Sequence, residues 1–165
     1  MRECGVVLDV GAGIRPMNLY KPKQHICVEP FEPYCKILKN EGYSDVWHMT
    51  AMQALRYCLD EFVPIEAIFL LDVIEHMEKE HGQHVIELAQ AVALEQIVLY
   101  TPYGFMVQNE DKWGLGGDEW QIHRSGWVPE EFPGWHIEVR PMYVRPKAQG
   151  GVIKGFIALW DRKTP

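Results

Sequence analysis

Six side chains in this sequence have the types and spacing to do chemistry: Asp9, Glu29, Asp72, Glu75, His76 and His123, set around the glycines Gly11 and Gly13. Two glycines one residue apart force a tight turn and leave the backbone bare, so that a ligand can approach it closely. Glu29 closes a second apolar run, His25-Ile26-Cys27-Val28. It follows the glycines by roughly 20 residues, where a ribose hydroxyl pair needs an acceptor. A glycine corner, two strand ends and one carboxylate describe a cleft for an adenosine-like ligand. His76 and His123 add imidazoles, which titrate near neutral pH and are suited to taking a proton.

These groups need strands to hold them. Val6–Val10, which runs into Gly11-Ala12-Gly13-Ile14-Arg15-Pro16, fits a strand buried on both faces. Residues 15–23 hold Pro16 and Pro22, so a first helix is short or replaced by a turn. Glu32–Asn40 places Tyr34, Ile37 and Leu38 at helical spacing behind Pro33, and Gly42 stops it. Residues 46–48 predict a third strand, and Thr50 caps a helix carried by Met52, Leu55, Cys58 and Leu59. Ala67–Leu71 has nothing polar enough to face water, which predicts a central strand ending at Asp72. The apolar stripe of residues 83–94 predicts a helix over the sheet, and residues 97–100 a fifth strand ended by Pro102 and Gly104.

Residues 102–127 form a long connection rich in glycine and in aromatics, with Trp113, Trp120 and Trp127. A loop of that length in a compact domain is functional or disordered, and the aromatics argue against disorder, so it reads as a lid. Residues 129–132 hold one more helical turn. Residues 136–140 and 156–160 predict two antiparallel strands joined through the turn-rich residues 145–151.

Composition narrows the options. The 165 residues fit one domain, residues 1–165, with a single core. A formal charge of −7, with 16 basic residues spread along the chain, sets net repulsion against a phosphate backbone, so nucleic acid is not the expected partner. The longest apolar run is broken by Asp72 and falls far short of the ~20 residues of a membrane span. Met1-Arg2-Glu3-Cys4-Gly5 leads straight into the first strand without the pattern of a signal peptide. A cytoplasmic protein without membrane contact is expected. Cys4, Cys27, Cys35 and Cys58 lack paired short spacings and read as reduced core residues.

Leu8-Asp9-Val10-Gly11-Ala12-Gly13, Val28-Glu29-Pro30, Leu71-Asp72-Val73-Ile74-Glu75-His76 and Tyr100-Thr101-Pro102, in that order and spacing, resemble the class I S-adenosylmethionine-dependent methyltransferases. The resemblance spans about residues 5 to 135 and is nearest to the small-molecule branch with an Asp-x-x-Glu-His element. It implies a Rossmann-like α/β fold: a doubly wound, mostly parallel sheet of about seven strands with an antiparallel C-terminal hairpin. It also implies S-adenosylmethionine as cofactor, with Asp9, Gly11 and Gly13 lining the methionine end, Glu29 on the ribose hydroxyls and Asp72 near the sulfonium. Physical chemistry agrees: three acids suit a cationic sulfonium and would repel a pyrophosphate. The third glycine of the dinucleotide pattern is replaced by Pro16, which tells against a nicotinamide-dependent oxidoreductase. Two departures stand out. No acid follows the third strand in Trp47-His48-Met49-Thr50-Ala51-Met52 to read the adenine amine. The N-terminal helices that many relatives fold over substrate are also missing, so the 102–127 loop takes that role, or a partner subunit in a homodimer does.

The expected reaction is methyl transfer to a small-molecule acceptor, at oxygen, with His76 or His123 as base. The alternative is a non-catalytic binding or scaffold protein that keeps the fold. Glu75 and His76, with Asp72, offer metal-ligating groups, but adjacent ligands without a third partner make a weak site and no metal is expected. His81 and His84 read as solvated surface. Arg124 is placed to pair with an acidic acceptor group or with Glu119. Nothing in the sequence names the acceptor.

Overall fold

A computed structural model of the chain describes residues 1–16, 19–144 and 152–162. The strands are β1 (Val6–Val10), β2 (Gln24–Val28), β3 (Asp45–Trp47), β4 (Ala67–Leu71), β5 (Gln96–Pro102), β6 (His136–Val144) and β7 (Val152–Asp161). The helices are α1 (Glu32–Asn40), α2 (Ala51–Asp60), α3 (Lys79–Val92) and the short α4 (Asp118–Gln121). The strands make one sheet in the order β3-β2-β1-β4-β5-β7-β6. β1 to β5 pair in parallel, and β7 and β6 close the edge antiparallel. This is the Rossmann-like, doubly wound arrangement expected. Strand order reverses between β1 and β4, so the loops at their carboxyl ends diverge and leave a crevice.

Alternation along the strands sorts the two faces. Leu8, Val10, Ile26 and Val28 point to the face covered by α2 and α3, where Leu55, Val85 and Ala89 complete the main core. Cys27 points the other way, beneath Leu38 of α1, and Val7 and Phe69 pack there with Tyr20. Local signals explain the helix starts. Thr50 accepts the Gln53 amide at 3.3 Å while the Gln53 side chain accepts the Thr50 amide, a reciprocal cap that satisfies two otherwise orphaned donors. The prolines at 16 and 22 have the predicted effect, and among the described residues no helix separates β1 from β2.

Three expectations need correction. α3 begins at Lys79, before the apolar stripe starts, and Gly82 in its first turn lets the Trp127 indole seat against it; a Cβ there would meet Trp127 at 2.5 Å. Trp127 is therefore a core residue, 1% exposed, and not part of a lid. β6 and β7 run longer than expected, paired from His136↔Leu159 to Val144↔Val152. The turn expected at 145–151 lies outside the described residues. Cys4, Cys27, Cys35 and Cys58 are free and buried, as expected. No helix is long and apolar enough to cross a membrane among the described residues.

Candidate functional site

The glycine corner is built by backbone geometry. Gly11 and Gly13 sit at φ 71° and 60°, in the left-handed region that an L side chain resists. The amides of Gly11 and Ala12 both donate to the Val28 carbonyl, at 2.8 and 3.1 Å, which locks the turn onto the end of β2. A Cβ on Gly11 would lie 2.8 Å from Val73, whereas one on Gly13 would meet nothing within 4 Å among the described residues. Gly11 is thus required by packing, and Gly13 leaves its backbone open to the crevice.

Glu29 lies beside that turn, 4% exposed. One carboxylate oxygen accepts the Gly13 amide at 3.0 Å and the other the Phe31 amide at 3.0 Å. Each oxygen keeps a further lone pair toward a cavity of about 380 Å³, walled by Pro30, Ala51, Val73 and Met77, with the exposed His81 at its rim. Burial pushes the Glu29 carboxyl up to about 7, against the pull of the two amides.

A second cavity of about 590 Å³ adjoins the first, and Gly11, Asp72, His76 and Gln121 border both. Asp9 lies in its wall with one oxygen bonded to His25 Nε2 at 2.9 Å, which orients the carboxylate. Burial raises the Asp9 pKa. Asp72 adopts φ 55°, a strained conformation for a residue with a side chain, held by its amide on the Tyr100 carbonyl at 2.9 Å. Its carboxyl faces the open cavities, yet the protein crowded around it pushes its pKa up to about 6.

His76 and His123, far apart in sequence, come together with ring centroids 4.8 Å apart. His76 Nδ1 faces the Ile122 carbonyl at 3.4 Å and His123 Nδ1 the Met106 carbonyl at 2.6 Å. A carbonyl only accepts, so each Nδ1 carries the proton and each neutral ring keeps one lone pair. Burial, with His123 alongside, pushes His76 down to about 4; burial also lowers His123. Glu75 is 2% exposed. One oxygen accepts the Thr101 hydroxyl at 3.0 Å; among the described residues no donor reaches Oε1, and the carboxyl bonds that of Asp72 only when one of the two is protonated. Burial first, and then the Asp72 charge, raises the Glu75 pKa.

One ligating atom from each of Glu75, His76 and His123 lies within 4.8 Å of the other two. His123 is the third partner that adjacency in sequence could not reveal. Ligands of one tetrahedral divalent ion with bonds of about 2.1 Å stand roughly 3.4 Å apart, so the widest pair of the trio would have to close by up to about 1.4 Å. One carboxylate and two neutral imidazoles suit such an ion, and the orphaned Glu75 oxygen is the acceptor it would satisfy.

The segment expected as a lid is tied down at many points. The His123 amide donates to the Gln108 carbonyl at 3.0 Å, and the Arg124 and Ser125 amides donate to the Glu75 carbonyl at 2.8 and 3.1 Å. Among the described residues Arg124 pairs with no carboxylate. It donates to the carbonyls of His76 at 2.7 Å and Glu119 at 2.8 Å and braces the loop. Sequence reasoning also missed Asp111. Its carboxylate accepts the Tyr34 hydroxyl at 2.5 Å and the amides of Trp113, Leu115 and Gly117 at 2.8, 2.7 and 3.1 Å. Burial opposes its charge, but these donors outweigh it and hold the carboxyl at about 2. An acid three residues before the first glycine of Gly114-Leu115-Gly116-Gly117 is the one available signal.

No family model and no curated protein sequence matches the chain. Solved structures match its fold. An S-adenosylmethionine-dependent methyltransferase from Archaeoglobus fulgidus superposes at a TM-score of 0.68 with 13% identity, over 96% of this chain and 86% of that one. Magnesium protoporphyrin IX methyltransferase from Synechocystis PCC 6803, with bound S-adenosylmethionine, gives 0.61 and 11% over 95% and 70%. The methyltransferase domain of bacterial-CtHen1-C gives 0.57 and 17% over 94% and 88%. At these identities the likeness establishes a shared fold.

Proposed function

We propose that this chain is an S-adenosylmethionine-dependent methyltransferase acting on a small-molecule acceptor at oxygen. One observation carries the reading: the buried Glu29 carboxylate is fixed by two backbone amides at the end of β2, with its remaining lone pairs toward a cavity that begins at the glycine turn. That arrangement suits a ribose hydroxyl pair. The smaller cavity holds the adenosine, its base against Pro30, Ala51 and Val73 in place of the missing acid after β3. The methionine end passes Gly11 and Gly13 toward Asp9, and the sulfonium stands near Asp72, where a positive charge offsets the carboxylates around it.

Displacement of the methyl group needs the acceptor oxygen in line with the sulfonium and one proton removed. His76 and His123 border the larger cavity, neutral and each with a free lone pair, and either serves as base. Isothermal titration with S-adenosylmethionine and its demethylated product is expected to give micromolar binding; its absence at high micromolar concentrations refutes the reading. Transfer of labelled methyl to an acceptor separates an enzyme from a scaffold. Replacing the base by alanine is expected to lower that rate by about 10²-fold or more.

The orphaned Glu75 Oε1 favours a second reading of the same cluster, in which Glu75, His76 and His123 hold a divalent cation. Such an ion would supply positive charge that lowers the pKa of an acceptor hydroxyl. Calorimetric titration with Zn²⁺ and Mn²⁺ tests it: saturable binding lost in His123→Ala supports the cation, and no heat above background rejects it.

A further inference from the structure

The wall of the larger cavity opposite the glycine turn has its own charge pattern. Met106 and Gln108 point inward from an extended stretch whose alternate residues, Phe105 and Val107, are exposed. Beyond them, Lys112 and Trp113 stand at the mouth, and Arg15 reaches across to place its guanidinium 5.8 Å from the Trp113 ring centroid. Among the described residues Arg15 has no carboxylate partner. Lys112 meets only Glu110, at 3.8 Å with both side chains more than half exposed, a pair too wet to neutralise it. Asp111, the nearest buried acid in sequence, is committed to the Tyr34 hydroxyl and three amides. Those same bonds fix the backbone that presents Lys112 and Trp113.

In a chain of net charge −7, two cations without strong partners border the larger cavity beside Trp113, with Arg15 over its ring, while the buried Asp9 and the exposed Asp72 border it at the ends of β1 and β4. We infer that the larger cavity takes an organic acceptor bearing a carboxylate or phosphate group, held between Arg15 and Lys112 against Trp113. The field sets its direction. The acids at the strand ends repel the anionic end and the cations beside Trp113 attract it, so the uncharged, methyl-accepting end points toward His76 and His123. Arg15 offers a planar fork that matches either anion, and the indole offers a flat surface for a ring. This inference rests on the methyl-transfer reading. The one competing use for these cations is the α-carboxylate of the donor itself.

The test titrates benzoate, phenyl phosphate and the uncharged benzamide into the protein, with and without saturating S-adenosylhomocysteine, and repeats the titrations in Arg15→Gln and Lys112→Gln. Both positions are exposed and make only solvent-screened contacts, with Trp113 and Glu110, so folding is not at stake. Both anions are expected to bind about tenfold or more tightly than benzamide, and each substitution to weaken them by about five- to tenfold, the scale of one charge-assisted contact. S-adenosylhomocysteine affinity is expected to stay within about twofold, since Glu29, on another element, holds its ribose. Benzamide binding as tightly as the anions, or neither anion binding at millimolar concentrations, overturns the inference. Equal weakening of S-adenosylhomocysteine by the substitutions also overturns it and assigns the cations to the donor. Failure of S-adenosylhomocysteine to bind at all refutes the methyl-transfer reading instead, and the donor-free titrations then report the anion preference separately.

Discussion

Glu29 accepts the Gly13 amide across 3.0 Å, a side-chain tie added to the two main-chain bonds that join the turn after β1 to the end of β2. The donor-binding groups of two strands are thereby a single unit. Glu29→Gln breaks it, because an amide NH₂ then faces the Gly13 or the Phe31 N–H and one buried donor is left unpaired. The expected cost is about 1–3 kcal/mol of stability. Losing a charged acceptor is expected to weaken S-adenosylhomocysteine binding by roughly 10- to 100-fold, read by calorimetry beside a thermal melt.

Donor binding should release a proton. Glu29 titrates near 7 in the free protein, and hydroxyl donors favour its ionised form. Affinity therefore rises with pH up to about 7 and falls by as much as tenfold per unit below it. Titration at pH 7 in two buffers of different ionisation enthalpy measures the released proton directly; equal heats in both count against the role of Glu29. The ligand-free protein carries the opposite trend. A carboxyl whose folded pKa exceeds its unfolded one contributes stability that is whole below about 4.5 and is lost as pH rises through 7, roughly 3 kcal/mol at most.

Gly11→Ala combines two penalties, a positive φ and a Cβ 2.8 Å from Val73. The left-handed backbone alone costs about 1–2 kcal/mol, a fall in Tm of roughly 2–8 °C for a chain of this size. Adding Val73→Ala should relieve the contact but not the backbone strain. A double variant that melts only partway back toward the parent is the expected result.

Asp111→Ala removes the acceptor of four hydrogen bonds at once. The amides of Trp113, Leu115 and Gly117 are expected to lose hydrogen-exchange protection, and benzoate binding to fall by about tenfold as Lys112 and Trp113 lose their placement. S-adenosylhomocysteine affinity should hold within about twofold, because Glu29 and the glycine turn lie on other elements.

The elements nearest the sheet centre were legible because their signals are local. Ala67–Leu71 is apolar throughout, and Thr50 precedes its helix with a hydroxyl in capping position. Val6–Val10, the two glycines and Glu29 likewise place the donor side, since strand, turn and acid follow one another along the chain. What escaped depends on contacts between distant residues. The first turn of α3 has no apolar period of its own and leans on Trp127 through Gly82. His123 joins Glu75 and His76 only because the 102–127 segment folds back onto the Glu75 carbonyl after β4. Asp111 and Arg124 look like loop polarity in sequence and become loop architecture only through main-chain partners that no spacing encodes.

The most direct test is a crystal structure with S-adenosylhomocysteine bound. Both ribose hydroxyls should lie about 2.5–3.0 Å from the Glu29 carboxylate, with the sulfur beside Asp72 and facing the His76 and His123 rings. A nucleoside seated elsewhere, or a ribose whose hydroxyls meet other groups while Glu29 keeps only its two amides, contradicts the account.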